Sequence, residues 1–337
     1  MSNAADPDAV GETPLVELAV DVDPTVYGKA EWFNQPTLPH GGGSIKTRIA
    51  KAMVDAARAS PEPLDGRTLV EASSGNTGAA VARFGRRYGL DVEIVLPDDA
   101  GAGKIAAIED AGAETTFVDD ERGYDAYVER CRETVRSDPD RYRYLDQYEN
   151  PANPGVHAGT TGVEIWRQTD GAVTHFVAGA GTGGTLVGVS RALADRGVDV
   201  YGFEPATDEH DIAGLKHMHS QGHYVPGTFE PRAVETVSFV STDTAYRYVR
   251  RLYRAHEDRR LRIVDPGQWD RSFVRDHLRV DGDFLVGPSS GACLAKVDRL
   301  AELGVLGADD VVVVPLPDRG DRYSERDLRG SGATDDA

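Results

Sequence analysis

Cysteine is almost missing. Cys131 and Cys293 are the only two in 337 residues, far apart and in no Cys-x-x-Cys pair, which excludes a zinc ribbon or a dithiol redox site and leaves each as a small buried apolar residue. No metal site is expected. Long apolar runs are missing too: none approaches the roughly 18 residues needed to cross a bilayer, and Met1 to Asp6 lacks the basic then apolar pattern of a secretion signal. The expectation is a globular chain resident in the cytoplasm, with no membrane partner. Positive charge is scarce as well, since 37 basic residues face 56 acidic ones for a net charge of −19. Such a field repels duplexes and anionic membranes and disfavours nucleic acid. Acidic runs at Asp98-Asp99, Asp119-Asp120-Glu121 and Asp309-Asp310 are spread along the chain, as in a surface adapted to high salt, where counter-ions screen self-repulsion.

Lysine is the last scarcity. Among the basic residues only Lys29, Lys46, Lys51, Lys104, Lys216 and Lys296 are lysine, so arginine is written wherever plain charge suffices, and a retained lysine suggests that its amine is needed. A primary amine sheds its proton when desolvated, forms a Schiff base with an aldehyde and acts as a base, none of which a guanidinium does. Lys46 stands out. His40-Gly41-Gly42-Gly43-Ser44 makes a tight turn before it, and Ile45 to Val54 reads as a helix with apolar spacing of three and four. An amine in the first turn of a helix feels the positive end of the dipole, which favours its neutral form.

What is present in quantity is alternation. Two packed domains are natural for this length. Helix 45–59, strand 68–71, helix 78–88, strand 92–96, helix 102–111, strand 114–118, helix 123–136 and strand 143–145 follow one another. After the proline-rich crossing at 147–155 come helix 156–168, strand 175–178, helix 184–195, strand 199–204, strand 236–240, helix 242–256, helix 291–303 and strand 311–316. The pattern predicts α/β architecture: two three-layer αβα domains with mostly parallel sheets.

Ligands in such sheets bind where strands end and turns enter helices, and four turns qualify. The first carries Lys46. The second, Glu71-Ala72-Ser73-Ser74-Gly75-Asn76-Thr77-Gly78, has more hydroxyls and amides than a helix cap requires and suits a small anion, carboxylate or phosphate. The third, Gly179-Ala180-Gly181-Thr182-Gly183-Gly184-Thr185, fits the dinucleotide pattern through Gly179, Gly181 and Gly184, with Glu204 about 20 residues on. These glycines serve an NAD site or the phosphate of another cofactor equally well. The fourth, Gly287-Pro288-Ser289-Ser290-Gly291, reads alone as a capped helix start.

The set decides. A nicotinamide enzyme has no use for Lys46 together with the Ser73 to Gly78 turn, whereas an aldehyde cofactor carrying a phosphate needs an amine and two anion cradles. With Asn150-Pro151-Ala152-Asn153-Pro154, Thr160-Thr161-Gly162-Val163-Glu164-Ile165-Trp166 and Asp318-Arg319-Gly320-Asp321-Arg322-Tyr323, the chain resembles the cysteine synthase family, pyridoxal-phosphate enzymes of fold type II, from Gly11 to Tyr323. The closing motif looks most like the cysteine synthase B branch.

The resemblance implies pyridoxal 5′-phosphate as cofactor, Lys46 as the catalytic Schiff-base lysine, and Asn76 beside the cofactor's phenolic oxygen. It further implies Gly181, Thr182, Gly183, Gly184 and Thr185 as phosphate loop and Ser289 as partner of the pyridine nitrogen. Ser73, Ser74, Gly75, Thr77 and Gln147 are implied to hold the substrate carboxylate, and Lys216 to meet the leaving group or incoming anion. Residues 11–44 with 155–323 would form the larger, phosphate-binding domain, 45–154 a smaller movable one, and 324–337 a disordered tail. The expected activity is synthesis of cysteine, by a homodimer, from an activated serine and sulfide. Cystathionine β-synthase, cysteate or diaminopropionate synthesis, serine or threonine dehydration, an NAD oxidoreductase and an idle scaffold remain alternatives. Departures from the family pattern are Thr47 for Asp, Ser73 for Thr, Val163 for Pro, and extra length at 258–280, which bears on substrate or dimer surface.

Overall fold

The computed structural model describes residues 9–38, 42–73, 75–98, 100, 102–119, 126–220, 223–257, 259–323 and 328–329. The strands fall into two sheets. The smaller is built from β3 (Thr68–Ala72), β4 (Val92–Pro97), β5 (Glu114–Val118) and β6 (Tyr142–Tyr144), in the order β5-β4-β3-β6, all parallel. The larger contains β1 (Leu15–Glu17), β2 (Thr25–Ala30), β7 (His175–Gly179), β8 (Asp199–Pro205), β9 (Val237–Val240), β10 (Arg262–Asp265) and β11 (Val311–Leu316), in the order β10-β1-β2-β11-β7-β8-β9. Among the described strands only the pairings of β1 are antiparallel. β11 reads Val-Val-Val-Val-Pro-Leu because it lies mid-sheet and is covered on both faces.

Helices cover both faces of each sheet, as the alternation predicts. On the smaller one, α1 (Ile45–Ala59), α2 (Asn76–Arg87) and α3 (Ala102–Asp110) enclose Ile49, Met53, Leu69, Phe84 and Ile94. α4 (Ala126–Ser137) closes the other face over Val70, Val95 and Cys131. α5 (Ala152–Val156) packs between α1 and α7 (Gly184–Leu193), with Ala152 and Val156 against the smaller sheet's core; α6 (Gly162–Gln168) and α7 cover one face of the larger sheet, and α8 (Thr242–His256), α9 (Arg271–His277) and α10 (Pro288–Glu302) the other. α8 and α10 cross where a Cβ on Gly291 would lie 2.1 Å from the Ala245 carbonyl, so only glycine permits the approach. Both cysteines are free thiols in the interior, and no helix among the described residues is long and apolar enough to cross a membrane.

Three local features differ from the expected elements. The helix expected over 156–168 starts at Ala152 and includes one π turn, His157–Thr161. α10 starts at Pro288, whose missing N–H costs nothing in a first turn. The extra length at 258–280 holds β10 and α9, for which no element was expected. β10 extends the larger sheet beyond β1, and Trp269 stacks on Phe273 with 5.0 Å between ring centroids and packs against Phe33. Gln268 donates to the Gly11 carbonyl at 2.8 Å. The insertion thus buttresses the segment leading to the lysine turn. Of the stretch 324–337, only Leu328 and Arg329 are described: Leu328 joins the core and Arg329 donates to Asp283; the other residues of the expected disordered tail lie outside the described residues.

Candidate active site

The lysine turn is built by sterics. Gly42 has φ +74°, and a Cβ on Gly43 would sit 1.4 Å from the Asn34 carbonyl oxygen, so neither position accepts a side chain. Ser44 caps α1, its Oγ accepting from the Lys46 amide while the Ser44 amide donates to Thr47 Oγ1 at 3.1 Å. Thr47 therefore supplies an acceptor oxygen where the family writes aspartate. Lys46 Nζ is half-buried and makes no hydrogen bond or ion pair among the described residues. Burial lowers its pKa to about 8 against the opposing field of Glu71. Glu71, wholly buried on β3 with Oε2 unpaired, is itself pushed well above the usual carboxylate range by burial and by Asp146.

Behind Lys46 lies a buried ion cluster. Arg48, fully enclosed, donates to both oxygens of Glu31 and both of Glu164 at 2.6–3.0 Å, and to Thr13 and Thr160 at 3.1 Å. Lys29 Nζ reaches Glu164 at 2.8 Å, Gln168 at 2.8 Å and the Thr13 carbonyl at 3.0 Å. Two cations meet two carboxylates, so α1 is bolted to the larger body with charge balanced. Burial opposes ionisation of Glu164, but Lys29 and Arg48 outweigh it and hold the carboxyl far below its ordinary range.

Three of the four turns converge on the end of β11. The Pro317 carbonyl accepts from the Ile45 amide at 2.9 Å, the Asp318 carboxylate from Asn76 Nδ2 at 2.7 Å, and the Asp318 carbonyl from the Gly287 amide at 3.1 Å. The lysine turn, the Ser73 turn and the Ser289 turn thereby touch one dipeptide. Ser73 Oγ accepts from the Gly75 and Gly78 amides. Thr77 donates to Gln147 Oε1 at 2.9 Å, while Gln147 Nε2 donates to the Ala72 carbonyl. The side of Gly75 away from its own turn is open. Ser289 is buried in the first turn of α10. Ser74, with His40 and Gly41, lies outside the described residues.

The glycine turn after β7 completes the set. Gly183 caps α7 at φ +82°, and Cβ atoms on Gly181 and Gly184 would fall 2.1 Å from the Gly214 carbonyl and 2.0 Å from Asn153 Oδ1. The opening amides of α7 have no acceptor within their helix. Asn153 Nδ2 donates to Thr182 Oγ1 at 2.8 Å and to the Gln147 carbonyl. Thr185 Oγ1 lies 3.2 Å from His157 Nε2, and burial together with Arg48 and Lys46 keeps that imidazole neutral by depressing its pKa well below the ordinary value. Lys216 is buried with its backbone against Ala180 and its amine 6.0 Å from the Tyr148 ring centroid. Glu204 is spent locally: its carboxylate accepts from the Met218 amide at 2.7 Å and meets His219. It therefore has no role toward a ribose.

A cradle of opening amides, glycines that exclude Cβ atoms, buried unpaired oxygens on Asn153, Ser290 and Asp318, and an unpaired amine fit a small aldehyde cofactor with a phosphate. Sequence reasoning missed Asn153, His157, Asp318 and Arg322 as site-building residues, although all but His157 lie in motifs that carry the resemblance. Residues 7–318 match the family described as pyridoxal-phosphate dependent enzyme. The chain is 36% identical to cysteine synthase of Aquifex aeolicus, over 93% of this chain and 88% of that one. It is 33% identical to cysteine synthase B of Escherichia coli, over 93% and 92%. The solved structure of O-ureido-L-serine synthase superposes with a TM-score of 0.77 at 27% identity, covering 98% of this chain and 96% of the other. Geometry and likeness agree, and the chain belongs to the pyridoxal-phosphate dependent enzyme family, among fold type II relatives of cysteine synthase.

Proposed function

We propose that the protein replaces the β-substituent of an activated serine, O-acetylserine or O-phosphoserine, with sulfide to give L-cysteine. The observation that carries this reading is the Lys46 amine, without a partner among the described residues and lowered to about 8 at the meeting point of the turns. Bound pyridoxal phosphate supplies an aldehyde and an electron-withdrawing ring that stabilises negative charge at the substrate's Cα. The opening amides of α7 with Thr182 and Thr185 would hold its phosphate, Asn76 would meet its phenolic oxygen and Ser289 its ring nitrogen. Ser289 is a neutral donor, which limits delocalisation and favours loss of the β-substituent over transamination.

In this reading the Lys46 amine would take the proton from Cα, the Cβ–O bond would break with its electrons leaving on acetate or phosphate, and Lys46 would return a proton to Cα after sulfide has added at Cβ. Ser73, Ser74, Gly75, Thr77 and Gln147 grip the substrate carboxylate. The body of residues 45–154 closes over it and excludes water. Lys216 faces the leaving group, and its burial against the phosphate-loop backbone supports that placement. The resemblance extends the reading to a homodimer in the cytoplasm. Likeness to O-ureido-L-serine synthase favours a second reading, the same replacement with a different nucleophile.

Borohydride reduction of the cofactor-loaded protein should fix the label on the peptide containing Lys46, and label elsewhere or nowhere overturns the assignment. A panel of O-acetylserine and O-phosphoserine against sulfide, thiosulfate and homocysteine then separates the readings. Lys216→Ala should change the preference between the two serine esters; an unchanged preference removes Lys216 from the site.

A further inference from the structure

Asn76 is not free to turn. Its Nδ2 donates to Asp318 Oδ2 at 2.7 Å, and its Oδ1 accepts from Arg322 Nη1 at 3.0 Å. An ionised carboxylate only accepts and a guanidinium only donates. A flipped amide would set its oxygen against the carboxylate and its NH2 against the guanidinium, losing both charge-assisted bonds. The orientation is therefore dictated by two residues more than 240 positions away. Tyr323 OH donates to the same Asp318 oxygen at 2.7 Å. Arg322 Nη2 meets the Gly42 carbonyl and donates to that of Gly43 at 3.2 Å, so this side chain grips the lysine turn and the asparagine turn together. The Asp318 carboxylate packs closely against Gly287, where a Cβ would lie 2.0 Å from its Oδ1.

We propose that Asp318 and Arg322 are positioning residues for the cofactor: they act through Asn76, fixing its amide so that the remaining Nδ2–H is presented to the phenolic oxygen. The inference rests on the functional reading given above and names residues to which that reading gives no part. It also links the two sheets, because Asn76 opens α2 beside the smaller sheet whereas 318–323 follows the central strand of the larger one. Seating the amide and docking the smaller body are then one event.

The test titrates pyridoxal phosphate into cofactor-free wild type, Asn76→Ala, Asp318→Asn and the Asn76→Ala/Asp318→Asn double variant, reading the dissociation constant and the visible absorbance band. Asp318→Asn, which removes the charge and permits the flip, should weaken binding about tenfold, the worth of one charge-assisted bond, and move the band toward that of Asn76→Ala. The double variant should match Asn76→Ala within about twofold, since residues that act through one group do not add. A structural role alone gives multiplied losses and an unmoved band, which overturns the proposal, as does Asp318→Asn behaving like wild type. Should Asp318→Asn not fold, Asp318→Ser, smaller and uncharged, makes the same test in the same cycle. A wild type that binds no pyridoxal phosphate overturns the functional reading itself, whereas a binding wild type matched by the variants overturns this inference alone.

Discussion

Glu164→Gln isolates the ion cluster behind Lys46. The substitution keeps size and shape but leaves Lys29 and Arg48 facing Glu31 alone, in a region where the side chains are 0–4% exposed. Breaking a buried, hydrogen-bonded pair from one side costs about 3–5 kcal/mol, chiefly because the remaining charge stays uncompensated. With a urea slope of about 3 kcal/mol/M the unfolding midpoint should fall by about 1–1.7 M. Lys29 provides an internal control. Burial already lowers its pKa, with Glu164 opposing that shift, so removing its charge as well should recover stability. Lys29→Met/Glu164→Gln is expected to be at least about 1 kcal/mol more stable than the sum of its parts. The sign with pH follows from the same carboxyl. Its folded pKa lies below the unfolded value of about 4.3, so its contribution is complete above that pH and is lost as pH falls further. Wild type and Glu164→Gln should converge in acid. A Glu164→Gln loss under about 1 kcal/mol at pH 7, or strict additivity of the pair, refutes the reasoning.

Other outcomes follow from single features. In cofactor-free protein, amine labelling of Lys46 read by mass spectrometry should rise through about pH 8, whereas Lys51, whose ammonium is bonded to Asp55 and raised, should react only in stronger base; coincident curves contradict the desolvation argument. Trp269→Ala should cost about 3–5 kcal/mol in urea unfolding, because the ring is buried against Phe33 and Phe273; a neutral result shows that the insertion does not support the lysine turn. The acidic surface should raise the melting temperature between low and molar KCl, and a flat or falling trend rejects salt adaptation.

Much of this was legible in the sequence because the deciding signals are local. The apolar spacing of Ile45, Ile49, Met53 and Val54 marks α1, and the Ser73 and glycine turns sit where a strand pattern hands over to a helix pattern. What escaped is long-range. Arg48 meets carboxylates 17 residues before it and 116 after it, and no window connects them. β10 carries only Ile263 and Val264 between charges, too little to announce a strand until β1 supplies its pairing. The π turn at His157 is absent from any propensity, since it arises where α7 packs so closely that a Cβ on Gly188 would lie 2.5 Å from His157 Cβ.

The lysine argument itself needs refining. Retained lysines point to the interior before they point to chemistry: Lys29, Lys216 and Lys296 are all buried. In a chain whose surface cations are mostly arginine, an ammonium survives where a compact head on a flexible stem fits and a planar fork does not. Lys29 meets three oxygens in such a space and serves as a structural ion. What separates Lys46 from Lys29 is the partner it lacks among the described residues. Both lose hydration and both are lowered by burial, yet Lys29 is surrounded by groups that make use of its charge, whereas Lys46 has only the distant field of Glu71. A desolvated amine left without a counter-charge gains by losing its proton, and that is the state in which it can bond to an aldehyde or remove a proton from carbon.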